Sequence, residues 1–370
     1  MARHSGEPLS AIKNMKKHNS FQKDVDDLLV RAGWSQSDEY RLIGIDGGKN
    51  NKLFKVEGKE DNVIIKRFYK HASDSRNRQF SEFSFAQFAW DRGIRSIPRP
   101  IDQDTKRDIC IYEFVDGRPF KEEQVNDYAI DEAIKFFKDL NFGGVFQNGQ
   151  HLSRAAEACF TMNEHFHCVD KRVERLQSVD ERDSKSEVSI HLRKEIPNLW
   201  EVIKQRVQKA AGVCEIDLDR KLETSEWCLS PSDFGFHNAL LTADDEIKFF
   251  DFEYAGWDDP AKTICDFFCQ VSVPVSEKYY KKFSTAIADC FPDTKEKLLQ
   301  RARLLLPVYR LKWCTIVLND FLPEGESRRR FAQGKVADKV RKREQLAKSR
   351  LLFNAIQSDL NILGKDSYVK

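Results

Sequence analysis

The feature that most constrains the fold is a change of texture near Asp116. Between Tyr40 and Val115 the chain is built of short runs rich in β-branched and aromatic residues: YRLIGI (40–45), KLFKV (52–56), NVIIKRF (62–68), IPRPI (97–101) and DICIYEFV (108–115). Turn-forming clusters, Asp46-Gly47-Gly48 and Glu57-Gly58-Lys59, separate the first three, which predicts an antiparallel meander. One helix, over 74–92, interrupts the series, with Phe80, Phe83, Ala86, Phe88 and Trp90 among its apolar residues and Gly93 as its stop. After the break at Asp116-Gly117-Arg118-Pro119, helical spacing takes over in 123–140, about 153–179, about 186–211, 259–271, 276–289, 294–320 and 335–363. A β-like stretch near 239–252 interrupts it once. The expected fold class is α+β and bilobal: a small N-terminal lobe with a five-stranded antiparallel sheet plus one key helix, then a larger, mostly α lobe.

A length of 370 residues exceeds the usual span of one compact core. The organisation read here is a flexible basic tail over 1–20, an N-terminal lobe over 21–115, opened by a helix at 22–33, and a C-terminal lobe over 116–370. With 41% apolar and 11% aromatic residues there is ample core material and no bias toward disorder. The formal charge of +2, from 61 basic and 59 acidic residues, excludes a whole-protein field that would recruit nucleic acid or an anionic membrane. No apolar stretch approaches the roughly 18 residues that span a bilayer, and the basic N-terminus lacks an apolar h-region. Nine cysteines, odd in number and without a C-x-x-C, fit a reducing compartment, so a soluble cytoplasmic protein is expected. His165, His167 and Cys168 lie close in sequence, but residues two apart on a helix face different ways. Further ligands at zinc-site spacing are missing.

Chemistry concentrates in SPSDFGFHNALL (230–241) and IKFFDFEYAGWDDP (247–260): an Asp, an Asn five residues later, then an Asp after a short apolar strand. Phosphoryl transfer needs a carboxylate to orient the attacking hydroxyl and oxygen ligands that hold Mg²⁺ against a triphosphate. Asp233, Asn238 and Asp251 can supply these. The strings resemble the catalytic loop H-G-D-x-x-x-x-N and the later I-D-F-E of aminoglycoside phosphotransferase and choline kinase-like enzymes, small-molecule kinases related to protein kinases. The resemblance implies Asp233 as catalytic base and Asn238 and Asp251 as magnesium ligands. Glu253 stands where protein kinases hold a Gly, which points to the small-molecule branch. One departure is plain: the family's His two residues before the Asp is Pro231, whose fixed φ can stiffen the same turn by other means.

The N-terminal part matches the same resemblance. IDGGKNNKLFKV (45–56) resembles the family's phosphate loop, with Gly47 and Gly48 letting backbone approach phosphate. Lys66 falls on the third predicted strand, where these enzymes place the lysine that contacts the α- and β-phosphates, and Glu82 on the following helix. Each has a plainer reading: Lys66 as an exposed strand lysine, Glu82 as one more solvated charge on a helix that also carries Arg76, Arg78 and Asp91. IYEFVDG (111–117) resembles the hinge that reads the adenine edge through backbone of residues such as Glu113 and Val115, or else is an edge strand and turn. AGWDDPAKTICDF (255–267) resembles G-D-P-x-x-D-L-A, which implies Asp266 as a brace for the catalytic loop. Asp258 and Asp259 read equally as helix N-terminal caps.

The resulting expectation is a Mg²⁺-dependent ATP phosphotransferase acting on the hydroxyl of a small molecule. Residues 152–227, with 15 acidic against 13 basic side chains, offer no strongly anionic surface for a polycationic antibiotic, which favours a sugar or sugar derivative. An aminoglycoside acceptor and a non-catalytic nucleotide-binding scaffold remain as alternatives. In YRLKWCTIVLNDFLP (309–323), Arg310, Lys312 or Asn319 can reach an acceptor pocket, although the periodicity reads first as core packing. The segment 323–350 holds 10 basic against 4 acidic residues. Val336, Val340, Ala347 and Leu351 would give that helix a packing face with its charges outward, which argues against a nucleic-acid surface.

Overall fold

The computed structural model describes residues 18–45, 51–59, 61–70, 76–143, 145–179, 186–322, 331 and 338–363. Gly47 and Gly48, the first 17 residues and much of 323–337 lie outside them. Helix α1 (His18–Arg31) leads into a meander of β1 (Arg41–Ile45), β2 (Lys52–Glu57) and β3 (Asn62–Arg67). Helix α2 (Arg78–Asp91) follows, then β4 (Pro100–Asp104) and β5 (Ile109–Glu113). The five strands form one antiparallel sheet in the order β1-β2-β3-β5-β4, as expected. Strand β4 starts only at Pro100, because Pro98 and Pro100 have no N–H to donate to a ladder.

Alternation along β3 sorts its side chains. Val63 and Ile65, with Val56, Ile109 and Ile111, meet Val25, Leu28 and Leu29 of α1 in a small separate core. The opposite face carries Cys110 and Tyr112 into a much larger core that includes Phe83, Phe85 and Phe88 of α2 and runs on through the helical part of the chain. That second face also holds Lys66, which is 6% exposed.

Beyond β5 the chain is mostly helical. Strand β6 (Gly117–Pro119) leads to α3 (Asp127–Asn141), the short α4 (Val145–Asn148), α5 (Met162–Gln177), the short α6 (Glu187–Ile190) and α7 (Ile196–Val213). The strands β7 (Cys228–Ser230), β8 (Ala239–Thr242), β9 (Ile247–Phe249) and β10 (Gly256–Asp258) carry the motif-bearing loops. Helices α8 (Pro260–Cys269), α9 (Tyr280–Ala288), α10 (Lys295–Ile316) and α11 (Asp338–Leu363) complete the order. Strand β6 joins β8 and β9 in a three-stranded sheet, and β7 pairs with β10. Helix α10 packs against α5, α7, α8, α9 and α11 and buries Leu304, Leu305, Val308, Leu311 and Cys314.

Two helix readings need correction. The helix expected from about 153 starts at Met162, where Thr161 and Glu164 form a capping box. Residues 153–155 instead run beside β10 before a turn at 156–157: Trp257 N–H donates to Ser153 O, and the N–H groups of Ala155 and Ala156 donate to Trp257 O and Tyr254 O. Gly256, at φ +155, permits this approach, since a Cβ there would lie 2.3 Å from Ser153 O. The packing face of α11 is also not the expected one. Val340 is 61% and Leu351 72% exposed, and the buried set is Leu346, Ser349, Phe353 and Ile356. A one-residue error in phase rotates a helix face by about 100°, enough to turn Ala347 outward beside buried Leu346.

Candidate functional site

Three elements meet at Lys66. Its Nζ lies 2.6 Å from Glu82 Oε2 on α2 and 2.5 Å from Asp251 Oδ1, two residues past β9. Glu82 is 4% exposed, so it is not one charge of a solvated helix side; Arg78, one turn earlier, is 3% exposed. Burial works against the Lys66 ammonium, but Asp251, Glu82 and Glu253 outweigh it and hold the lysine firmly charged. Burial pushes the Glu82 carboxyl up to about 7 despite Lys66 beside it. Asp251 is raised too, chiefly by burial, with Glu253 and Asp233 adding to the push against Lys66.

A second buried knot sits behind the first. Glu253 accepts a hydrogen bond from Asn51 Nδ2 at 2.8 Å and pairs with Arg78 at 3.5 Å. Asn51 Oδ1 in turn accepts from Tyr69 N–H at 3.1 Å. Asn51 and Arg78 were not legible as partners of Glu253, because both lie more than 170 residues away in sequence. The one local hint was Asn51 at the end of the glycine-bearing loop.

The loop after β7 carries Asp233. Ser232 and Asp233 adopt positive φ, 50° and 45°, as does Asp251 at 67°; such values are uncommon for residues other than glycine and tend to mark functional turns. Ser232 N–H donates to Ser230 Oγ at 3.1 Å, and that hydroxyl lies 2.9 Å from Thr263 Oγ1 on α8. This short network holds the turn in which Pro231 replaces a histidine. Asn238 Nδ2 donates to the Asp233 carbonyl at 3.0 Å, and His237 Nε2 lies 3.2 Å from Asp233 Oδ1. His237 was missed in the sequence, where a histidine was sought before the Asp and not four residues after it.

The sequence profile of choline/ethanolamine kinase matches residues 42–299. The chain belongs to that family. It is an ATP-dependent phosphotransferase of small molecules with an alcohol acceptor. No curated protein sequence matches the chain. Among solved structures, an ethanolamine kinase of Plasmodium vivax superposes with a TM-score of 0.57 at 16% identity, covering 93% of this chain and 91% of that one. A choline kinase of Cryptosporidium parvum gives 0.52 at 14%, covering 90% and 99%. A spectinomycin phosphotransferase in complex with ADP and spectinomycin gives 0.51 at 13%, covering 91% and 98%. At these identities the likeness is one of fold, the protein-kinase-like fold.

Glu113 ends β5; its N–H donates to Arg99 O at 2.9 Å, so only its carbonyl remains to meet a ligand edge. Val115, just beyond, is half-buried. Asp266 does not bond the catalytic loop directly: it accepts from Trp313 Nε1 at 2.7 Å and lies 3.4 Å from Lys312 Nζ. The Trp313 ring then meets His237 in a T-shaped contact, centroids 6.3 Å apart, so the bracing runs through two side chains. Asp259 caps α8, accepting from Ala261 N–H at 2.8 Å, and Asp258 accepts from Cys159 N–H at 3.0 Å. Asp233 and His237 open onto a cleft of about 300 Å³ whose wall includes Glu157, Arg172, Lys312 and Asn319. Lys312 and Asn319 thus depart from the plain packing reading, whereas Arg310 faces Glu277 instead.

Proposed function

We propose that the chain transfers the γ-phosphoryl group of ATP, with Mg²⁺, to a small-molecule hydroxyl held in the cleft beside Asp233, with a sugar or sugar derivative as acceptor. The observation that carries this reading is the convergence of Lys66, Glu82 and Asp251 a short distance from Asp233 and Asn238. Lys66, fixed by two carboxylates, offers its remaining N–H to the phosphates. Gly47 and Gly48 would cradle them, and the Glu113 carbonyl with Val115 would meet the adenine, with the lobes dividing near Asp116. The pairing of β6 with β8 supports that division.

Asn238 and Asp251 fit a hard cation. Asn238 spends its amide N–H₂ on Asp233, which leaves its carbonyl oxygen as a ligand, and Lys66 takes only one oxygen of Asp251. Magnesium, when bound there, neutralises charge on the transferring phosphate. Asp233 accepts the proton of the acceptor hydroxyl as its oxygen bonds to the γ-phosphorus, and the bond to the bridging oxygen breaks with its electron pair leaving on ADP. Nine unpaired cysteines and ATP as donor support a cytoplasmic setting; among the described residues no helix is long and apolar enough to cross a membrane.

Calorimetry of ATP with and without Mg²⁺ tests this, together with ADP release over a panel of hydroxyl compounds. Binding at least tenfold weaker after chelation, and in Asp251→Ala, is the expected outcome. ATP binding indifferent to Mg²⁺, with no transfer to any hydroxyl, would point to the scaffold instead. His237 supplies a finer check, because its bond orients Asp233. His237→Ala should lower kcat about tenfold, roughly 1.4 kcal/mol, with KM for ATP unchanged, and His237→Gln should restore part of it.

A further inference from the structure

Two of the cysteines, Cys159 and Cys168, are folded onto one another behind the wall of the cleft. Cys159 lies in the loop that leads into α5, and Cys168 lies about two turns into that helix. Glu157 ties the loop to the helix: its carboxylate accepts two bonds from Arg172 Nη2, at 2.7 and 2.8 Å, one turn beyond Cys168. The Cys159 thiol stands 3.3 Å from the Glu157 carbonyl, and the Cys159 N–H donates to Asp258 Oδ1 at 3.0 Å. The loop is thereby held against α5, with the Cys159 thiol, 2% exposed, in hydrogen-bonding contact with the half-buried thiol of Cys168.

Reactivity of a cysteine follows its thiolate. Burial pushes the thiols of Cys110, Cys228, Cys265, Cys269, Cys290 and Cys314 up, which makes them inert. Cys168 goes the other way. The hydrogen bond from Cys159, with Lys312 and Arg172 nearby, lowers its thiol against burial, and Cys159 is raised in turn. The Arg172 guanidinium meets the same sulfur. The pair therefore combines a nucleophilic, partly accessible sulfur with a second thiol in place to resolve it, and phosphoryl transfer uses neither.

We propose that Cys159 and Cys168 form a reversible oxidation site: a hydroperoxide converts them into a disulfide, which shifts Glu157 and Arg172 in the cleft wall and slows phosphoryl transfer. The Cys168 thiolate attacks one peroxide oxygen, the O–O bond breaks, and the departing alkoxide or hydroxide takes up the proton that Cys168 had released. The Cys159 sulfur then attacks the resulting sulfenic sulfur; the S–S bond forms as the S–O bond breaks, and the Cys159 proton leaves with the hydroxyl as water. Two thiols and one hydroperoxide thus give one disulfide, one water and one alcohol, or a second water when the oxidant is hydrogen peroxide. A disulfide holds its sulfurs about 2.0 Å apart, so closing it draws the loop and α5 together. Glu157, two residues from Cys159, and Arg172, one turn from Cys168, move with them. The effect on turnover rests on the kinase reading of the same cleft; formation of the disulfide does not.

Both cysteines fall in one tryptic peptide, residues 155–171, released by cleavage after Arg154 and Lys171. The full chain is treated with hydrogen peroxide, alkylated and digested, and its ADP release over the same panel of hydroxyl compounds is followed in parallel. The peptide should lose two hydrogens and refuse the alkylating agent, ADP release should fall about tenfold, as a displaced cleft wall implies, and dithiothreitol should reverse both. Cys168→Ser should keep the basal rate and escape the loss, and Cys159→Ala should leave on Cys168 a sulfenic acid that dimedone captures. A peptide 155–171 that stays reduced overturns the inference. So does a disulfide that leaves ADP release within about twofold of the reduced protein, or equal peroxide sensitivity in Cys168→Ser. Failure of the kinase reading looks different: the reduced protein releases no ADP with any hydroxyl, and the mass of the peptide still decides whether the disulfide forms.

Discussion

Asp233→Asn is expected to lower phosphoryl transfer by about 10²- to 10⁴-fold, the range that a positioned general base contributes, while ATP binding changes little. The asparagine keeps the size of the side chain and can still meet His237 and Asn238, so the turn at φ 45° persists. What is lost is the capacity to take the hydroxyl proton. Loss of a carboxylate near Asp251 also relieves part of the repulsion that raises the Asp251 carboxyl, so Mg²⁺-ATP affinity should hold or weaken slightly. A single-turnover measurement at saturating ATP and acceptor isolates the chemical step. Transfer within threefold of wild type would remove Asp233 from the chemistry.

The largest expected loss of stability comes from Arg301→Leu. Asp259, which caps α8, is held by Arg301 Nε at 2.7 Å and by its terminal nitrogen at 2.9 Å, with His165 at 3.2 Å. All three are at most 7% exposed. Burial alone would raise the Asp259 carboxyl, but Arg301 and His165 hold it well below the usual range. Removing Arg301 strands a buried carboxylate, at a cost of about 3–5 kcal/mol, which lowers Tm by roughly 10 °C in a chain of this size. The pH dependence carries a sign. With its folded pKa depressed, Asp259 contributes stability above the ordinary aspartate value near 3.9 and loses it as pH falls toward the folded value. Arg301→Leu should therefore lose that acid sensitivity, and Asp259→Asn added to it should recover part of the stability. Thermal unfolding between pH 3 and pH 7 reads both effects; a shift below 2 °C would mean that the pair is not coupled to folding.

The parts of this protein that were legible in its sequence are those written locally. The strands from Arg41 to Glu113 followed from alternation and turn residues, and the helices from their spacing. The resemblance also led to Lys66, Glu82 and Asp251, which the fold brings together. The misses are tertiary. Nothing near Glu253 announces Asn51 or Arg78, and Lys312 has the helical spacing of a core residue while its buried ammonium meets Asp266 at the wall of the cleft. The α11 face failed for another reason: Val340, Ala347 and Leu351 and the truly buried Leu346, Phe353 and Ile356 all fit a helical period, and only the surface they pack on, made by α10, residues 317–321, α7 and His191, selects between them.

The two packing clusters imply an order of opening. The large core passes without a break from α2 and one face of the five-stranded sheet into the C-terminal helices, whereas α1 and the other face share eight residues of their own. Cooperative units follow contiguous packing, so the seam of independent motion runs through the sheet and not between the lobes. In hydrogen exchange, amides of α1 should lose protection at lower denaturant than those of α2, although both pack on the same strands. Detaching α1 would leave Lys66, Glu82 and Asp251 assembled, which makes that helix a place where stability can be tuned without disturbing the chemistry on the far side of the sheet.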